Sequence, residues 1–117
     1  MTETALKKID QVDDNLLREI RDRIIKAIKP ERIILFGSYA YGTPKGESDL
    51  DILVIMDSDL PRYRRSRSIY RCLAGLLIPK DVLVYTPEEI EEWSEVPQAF
   101  ITNVIRKGKV IYEKEQG

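Results

Sequence analysis

Three short apolar runs limit what this chain can fold into. Arg32 to Phe36 is β-branched and aromatic and stops at Gly37, and Leu50 to Met56 and Val82 to Tyr85 repeat the pattern. Each reads as a buried strand. The first is preceded by an amphipathic stretch from Asp13 to Ala27, where Leu16, Leu17, Ile20, Ile24, Ile25 and, just beyond, Ile28 recur at three-to-four spacing with Arg18, Arg21, Asp22 and Lys26 between them. This predicts a helix stopped by Pro30.

Between the first two strands, Gly42-Thr43-Pro44-Lys45-Gly46 is dense in turn formers and is expected to be an exposed loop. Arg62 to Leu77 is predicted to be a single helix. Its apolar face carries Tyr63, Ile69, Tyr70, Leu73, Leu76 and Leu77, while Arg64, Arg65, Arg67 and Arg71 lie largely elsewhere, and Pro79 ends it. Thr86-Pro87-Glu88-Glu89 has the cap, first-turn proline and early acids of a helix start. Pro97 to Lys107 reads as a last helix closed by Gly108, and Val110 to Tyr112 as an edge strand. The order implies an α/β (α+β) fold, one small mixed β-sheet covered by helices. At 117 residues, a single domain over 1–117 is expected.

Composition narrows the chemistry. The chain contains no histidine and one cysteine, Cys72. That excludes Ser/His and Cys/His nucleophile pairs, histidine-containing zinc sites and an intramolecular disulfide, and makes a reducing, cytoplasmic setting the expectation. Any catalysis must run on carboxylates or metal ions. Hydrophobic residues make up 43% and charged residues 33%, enough for both a core and a solvated surface, and no run has the length needed to cross a bilayer. The formal net charge of −1 names no partner.

The informative stretch is Phe36-Gly37-Ser38-Tyr39-Ala40-Tyr41-Gly42, followed by Ser48-Asp49-Leu50-Asp51-Ile52. Two aspartates two residues apart at the start of a strand project from the same face, so they can share ligands. Two like charges side by side are costly unless a cation neutralises them, and hard oxygen donors suit magnesium or manganese rather than zinc. Upstream, Gly37 permits close backbone approach, and Ser38 with free amides at a helix start can hold phosphate oxygens. Neither element is specific alone, since Asp-x-Asp is common in turns and Gly-Ser is an ordinary strand-to-helix turn. Their combination at this spacing, with Asp81 ahead of the next apolar run, makes coincidence a minority explanation.

Gly-Ser, ten intervening residues, then Asp-x-Asp resembles the signature of the DNA polymerase beta superfamily of nucleotidyltransferases, in particular its minimal nucleotidyltransferase branch. The likeness runs from about Ile33 to Thr86. It implies a palm-like nucleotidyltransferase fold in which Gly37 and Ser38 contact the triphosphate of ATP and Asp49 and Asp51 bind two Mg2+ ions, with Mn2+ a possible substitute. Asp81 then matches the third carboxylate, which ligates one metal and helps deprotonate the attacking hydroxyl. Two metals ~3.5–4 Å apart can stabilise the entering and departing oxygens without histidine. Tyr41 departs from the pattern, standing where many members carry Arg.

Many members of the branch resemble antitoxins that silence a helical HEPN ribonuclease toxin by moving AMP onto its tyrosine. That implies a HEPN-type protein partner and a type VII-like antitoxin. A catalytically silent module that neutralises a partner by binding, and a small-molecule (antibiotic-like) adenylyltransferase, are the competing functions. Pairing of copies stays open. The arginine group Arg62, Arg64, Arg65, Arg67 and Arg71 reads as a solvated helix face slightly more readily than as an anion site. Glu88, Glu89, Glu91, Glu92 and Glu95 read as acids favoured by a helix N-terminus. Trp93 and Phe100 read as core or interface residues rather than a base-stacking platform, and Cys72 as inert.

Overall fold

A computed structural model describes residues 7–8, 13–37, 39–40 and 49–115. In chain order the elements are β1 (Lys7–Lys8), α1 (Asp14–Ala27), β2 (Arg32–Phe36), β3 (Leu50–Ile55), α2 (Arg62–Arg65), α3 (Arg67–Cys72), β4 (Leu76–Leu77), β5 (Lys80–Tyr85), α4 (Pro87–Trp93), α5 (Phe100–Lys107) and β6 (Lys109–Glu113). The main sheet has the order β5-β3-β2-β6, with β3 and β5 parallel and the other pairs antiparallel. The fold is thus the expected mixed sheet with helices on it. The loop expected over Gly42–Gly46 lies outside the described residues.

Local chemistry starts the helices. Asp13 caps α1, its Oδ1 accepting from the Leu16 amide at 2.8 Å, and the chain leaves the helix at Ile28 before Pro30. At α4 the Thr86 hydroxyl accepts from the Glu89 amide at 3.2 Å while Glu89 Oε1 accepts from the Thr86 amide at 2.9 Å, a complete capping box.

The central strands β2 and β3 are buried on both faces, which explains their nearly unbroken apolar sequence. On one face Ile33, Leu35, Leu50, Ile52, Val54, Val82 and Val84 pack against Leu16, Ile20 and Ile24 of α1 and Ile69 and Leu73 at and just beyond α3. On the other, Ile34, Phe36, Leu53 and Ile55 pack against Ile101 and Val104 of α5, with Leu83, Tyr85 and Ile90 half-buried beside them.

The stretch Arg62–Leu77 departs from the single predicted helix. It breaks at Ser66, and after α3 the chain turns through Gly75 at φ 95°, a left-handed conformation that glycine adopts without penalty. Leu76 and Leu77 then form β4, parallel to β1 in a separate two-stranded sheet. Because strand residues alternate, Leu76 is buried and Leu77 is 49% exposed. Tyr63 and Tyr70 are also exposed, so only Ile69, Leu73 and Leu76 of the predicted apolar face enter the core.

The last helix starts at Phe100 instead of Pro97, because residues 97–99 form turns that the Asn103 amide closes by donating to Pro97 O and Ala99 O. Gly108 does follow it, as expected. Its φ is −74°, so the demand for glycine there is one of space: a Cβ would approach Val104 O within 2.6 Å and Ile34 Cγ2 within 2.5 Å.

Candidate active site

The register of the sheet assembles the carboxylates. Asp51 sits opposite Asp81 in the parallel β3–β5 ladder and opposite Phe36 in the antiparallel β2–β3 ladder. Directly paired residues share a face, so Asp81, Asp51 and Phe36 form a row across three strands, each ~4.8 Å from the next. Asp49, two residues before Asp51, projects to the same side at the exposed start of the strand. Further along that face Leu53, Ile55, Leu83 and Tyr85 lie under or beside α4 and α5. The aspartates therefore occupy the end of the face where helix cover stops.

Gly37 is built into this cluster. Its φ is 78°, and a Cβ at that position would collide with Asp51 Oδ2. The carboxylate thus rests against bare main chain, and the chain turns back immediately, the Ala40 amide donating to Gly37 O at 3.0 Å. The glycine turn and the aspartates thus meet at one end of the central strands. Ser38 and Tyr41 lie outside the described residues.

Among the described residues, the charges that act on Asp51 are those of the other two aspartates. Burial, then the charges of Asp81 and Asp49, push the Asp51 carboxyl above its ordinary range. Among the described residues, no three of His, Cys, Asp and Glu converge tightly enough to enclose an ion. Hard carboxylate oxygens of this kind suit a divalent cation such as Mg2+. Asp49, Asp51 and Asp81 are the residues that could hold it.

Tyr70 was not anticipated as part of the site. Its hydroxyl accepts from the Val82 amide at 2.9 Å and lies 3.5 Å from Asp81 Oδ1. Tyr70 thereby reaches over β5 from α3 and stands beside the third carboxylate. No short-range pattern signals this, since the two residues are eleven apart and belong to different elements.

The other flagged groups serve the scaffold. Arg65 Nη1 and Arg62 Nη2 bind Glu89 Oε1 and Oε2 at 2.7 and 3.1 Å, and the Arg62 guanidinium sits 4.4 Å from the centroid of the Tyr85 ring. Arg64, Arg67 and Arg71 remain exposed. The Lys80 ammonium donates to Leu76 O and Ile78 O, and its burial lowers its pKa. Cys72 is half-buried, and burial pushes its thiol up, in keeping with an inert residue. Trp93 and Phe100 are 41% and 60% exposed, so neither is a core residue; the buried positions of α5 are Ile101 and Val104. A groove of about 600 Å3, lined by Glu31, Ile55, Pro87 and Ile90 among others, opens at the opposite end of β3 from the aspartates.

Comparison with known proteins agrees with this arrangement. The family described as "Polymerase beta, Nucleotidyltransferase" matches residues 18–117. MJ0604 of Methanocaldococcus jannaschii, provisionally named a protein adenylyltransferase, is 32% identical over 108 residues, covering 91% of this chain and 96% of its own length. A protein of Sulfolobus solfataricus provisionally named a nucleotidyltransferase superposes with a TM-score of 0.59 at 20% identity, over 86% of this chain and 81% of that one. A chain of the toxin–antitoxin MntA-HpeT, solved as a tyrosine-to-alanine mutant, superposes with a TM-score of 0.54 at 25% identity, over 91% of this chain and 76% of that one. This chain belongs to the polymerase beta nucleotidyltransferase family.

Proposed function

We propose that this chain, folding as one domain, is a Mg2+-dependent adenylyltransferase that moves AMP from ATP to a hydroxyl of a partner protein. The observation that carries this is the row of Asp51 and Asp81 with Gly37 pressed against the Asp51 carboxylate. The name of the M. jannaschii relative supports a protein acceptor, and the MntA-HpeT likeness supports a toxin as that acceptor, most specifically a tyrosine of a HEPN-type toxin.

In this reading Gly37 and Ser38 receive the triphosphate. Asp49, Asp51 and Asp81 hold the divalent ions, which when bound supply charge neutralisation at the attacking and departing oxygens. Asp81 takes the proton of the acceptor hydroxyl on its carboxylate, with Tyr70 fixing its position. The hydroxyl oxygen forms a bond to the α-phosphorus, the bond from that phosphorus to the β-phosphate bridging oxygen breaks, and pyrophosphate departs with the bonding electrons. Hydrophobic cover stops short of the aspartates, leaving the site open to a macromolecular acceptor.

The test is incubation with labelled ATP, Mg2+ and a HEPN-type toxin. The expected result is label on a tyrosine of that protein, abolished by the double substitution Asp49→Ala and Asp51→Ala. Absence of label with either Mg2+ or Mn2+ refutes the reading.

A further inference from the structure

Phe100 is the first residue of α5 and leaves 60% of its surface in solvent, while the next residue, Ile101, is buried. The ring is nevertheless held in place. It meets the buried Phe36 edge-to-face, with centroids 6.0 Å apart and planes at 81°, a favourable aromatic geometry. Phe36 is the register partner of Asp51 and directly precedes Gly37. The exposed Phe100 ring thus stands 6.0 Å, centroid to centroid, from Phe36, the residue one strand spacing from the Asp51 carboxylate that faces Gly37.

We propose that Phe100 is the stacking platform for the base of the nucleoside triphosphate. The proposal rests on the nucleotidyltransferase reading above and adds a site to it. Phosphates held at Gly37 and the aspartates leave the sugar and base to extend outward, and on the Phe36 side the base reaches an aromatic surface already fixed against the sheet. On the other side of Asp51 lies Asp81, where Tyr70 presents its hydroxyl, already bonded to the Val82 amide. A phenyl ring has no hydrogen-bonding group, so it supplies affinity for any purine and does not distinguish adenine from guanine.

The experiment compares MgATP with magnesium tripolyphosphate, which has the phosphates and lacks the base, by calorimetric titration of the full chain. Phe100→Leu keeps apolar contact with Phe36 and removes the aromatic face, while Phe100→Trp restores one. Phe100→Leu is expected to weaken ATP binding roughly tenfold and to leave tripolyphosphate binding unchanged, with Phe100→Trp recovering ATP affinity. Equal weakening of both ligands, or no weakening of either, overturns the platform. Wild-type binding of ATP and tripolyphosphate with equal affinity also overturns it. A Phe100→Leu variant that binds ATP normally and loses only transfer to the partner places the ring in acceptor contact and overturns it likewise. If the wild type binds neither ligand with Mg2+ or Mn2+, the nucleotidyltransferase reading itself fails and the platform falls with it.

Discussion

Glu89 ties the helical layer to the sheet edge, and the strength of that tie can be worked from the structure. Its carboxylate accepts from Arg65 at 2.7 Å, Arg62 at 3.1 Å and the Thr86 amide at 2.9 Å. Burial acts against its charge, but the bonds to Arg65, Thr86 and Arg62 outweigh it and bring the pKa from the ordinary 4.5 to about 2. At ~1.36 kcal/mol per pH unit this displacement sets a ceiling of about 3 kcal/mol on the pH-dependent stability. The Arg62 side chain is 49% exposed, so its share is strongly screened, whereas that of Arg65 is only 9% exposed. Discounting accordingly leaves ~1.5–2 kcal/mol.

Glu89→Gln is the matching perturbation, because glutamine keeps the size and can still accept from the Thr86 amide while the charge is gone. Urea unfolding followed by circular dichroism should show the variant ~1.5–2 kcal/mol less stable than wild type at pH 7. Since the folded-state pKa lies below the ordinary value, the contribution is complete above about pH 4.5 and is lost as the pH falls toward 2. The gap between the two proteins should accordingly shrink to less than half by about pH 3. A gap that stays constant from pH 7 to pH 3, or one below about 0.3 kcal/mol at pH 7, refutes the ion-pair argument.

Two further outcomes test the site. Asp51→Asn removes a carboxylate whose charge the folded protein opposes through burial, Asp81 and Asp49, so without metal the variant should melt at or above the wild-type temperature. Millimolar Mg2+ or Mn2+ should raise the wild-type melting temperature and leave that of Asp51→Asn unmoved, read by differential scanning fluorimetry. Gly37→Ala places a methyl group against Asp51 Oδ2 at a positive φ, and should cost about 1 kcal/mol or more of stability and at least about tenfold in transfer rate. A fully active Gly37→Ala enzyme would show that Asp51 does not depend on the bare backbone.

What was legible in the sequence was what neighbours in sequence decide. The bounds of β2 follow from its apolar run and the glycine after it, and those of α1 from Asp13 and the three-to-four spacing. The start of α4 is set wholly by Thr86, Pro87 and Glu89. The Arg62–Leu77 stretch has helical spacing too, but β4 exists because Gly75 turns the chain and β1, some seventy positions earlier, supplies a pairing partner. Tyr70 beside Asp81 and Phe100 on Phe36 were invisible for the same reason: each contact depends on where two distant segments are set down in space. The Asp-x-Asp pair could be read, while its alignment with Asp81 needed the β3–β5 register.

That register also explains why the carboxylates stand where they do. On one face of β3 the sequence runs Asp49, Asp51, Leu53, Ile55, and on the same face of β5 it runs Asp81, Leu83, Tyr85. Both strands switch from acid to apolar at the same level, so the boundary crosses the sheet as a line. Beyond it α5 contributes Ile101 and Val104 to a dry core; before it the face is open and a half-buried carboxylate, Asp51, is already held above its ordinary pKa. Extending α5 one turn toward the aspartates would bury more apolar surface and would also desolvate three like charges. The helix instead begins at Phe100, which leaves the acids hydrated and accessible and puts an aromatic ring at the boundary. The same residue thus ends the hydrophobic cover and borders the open site, and that double position is why its exposed face is better explained by a ligand than by incomplete packing.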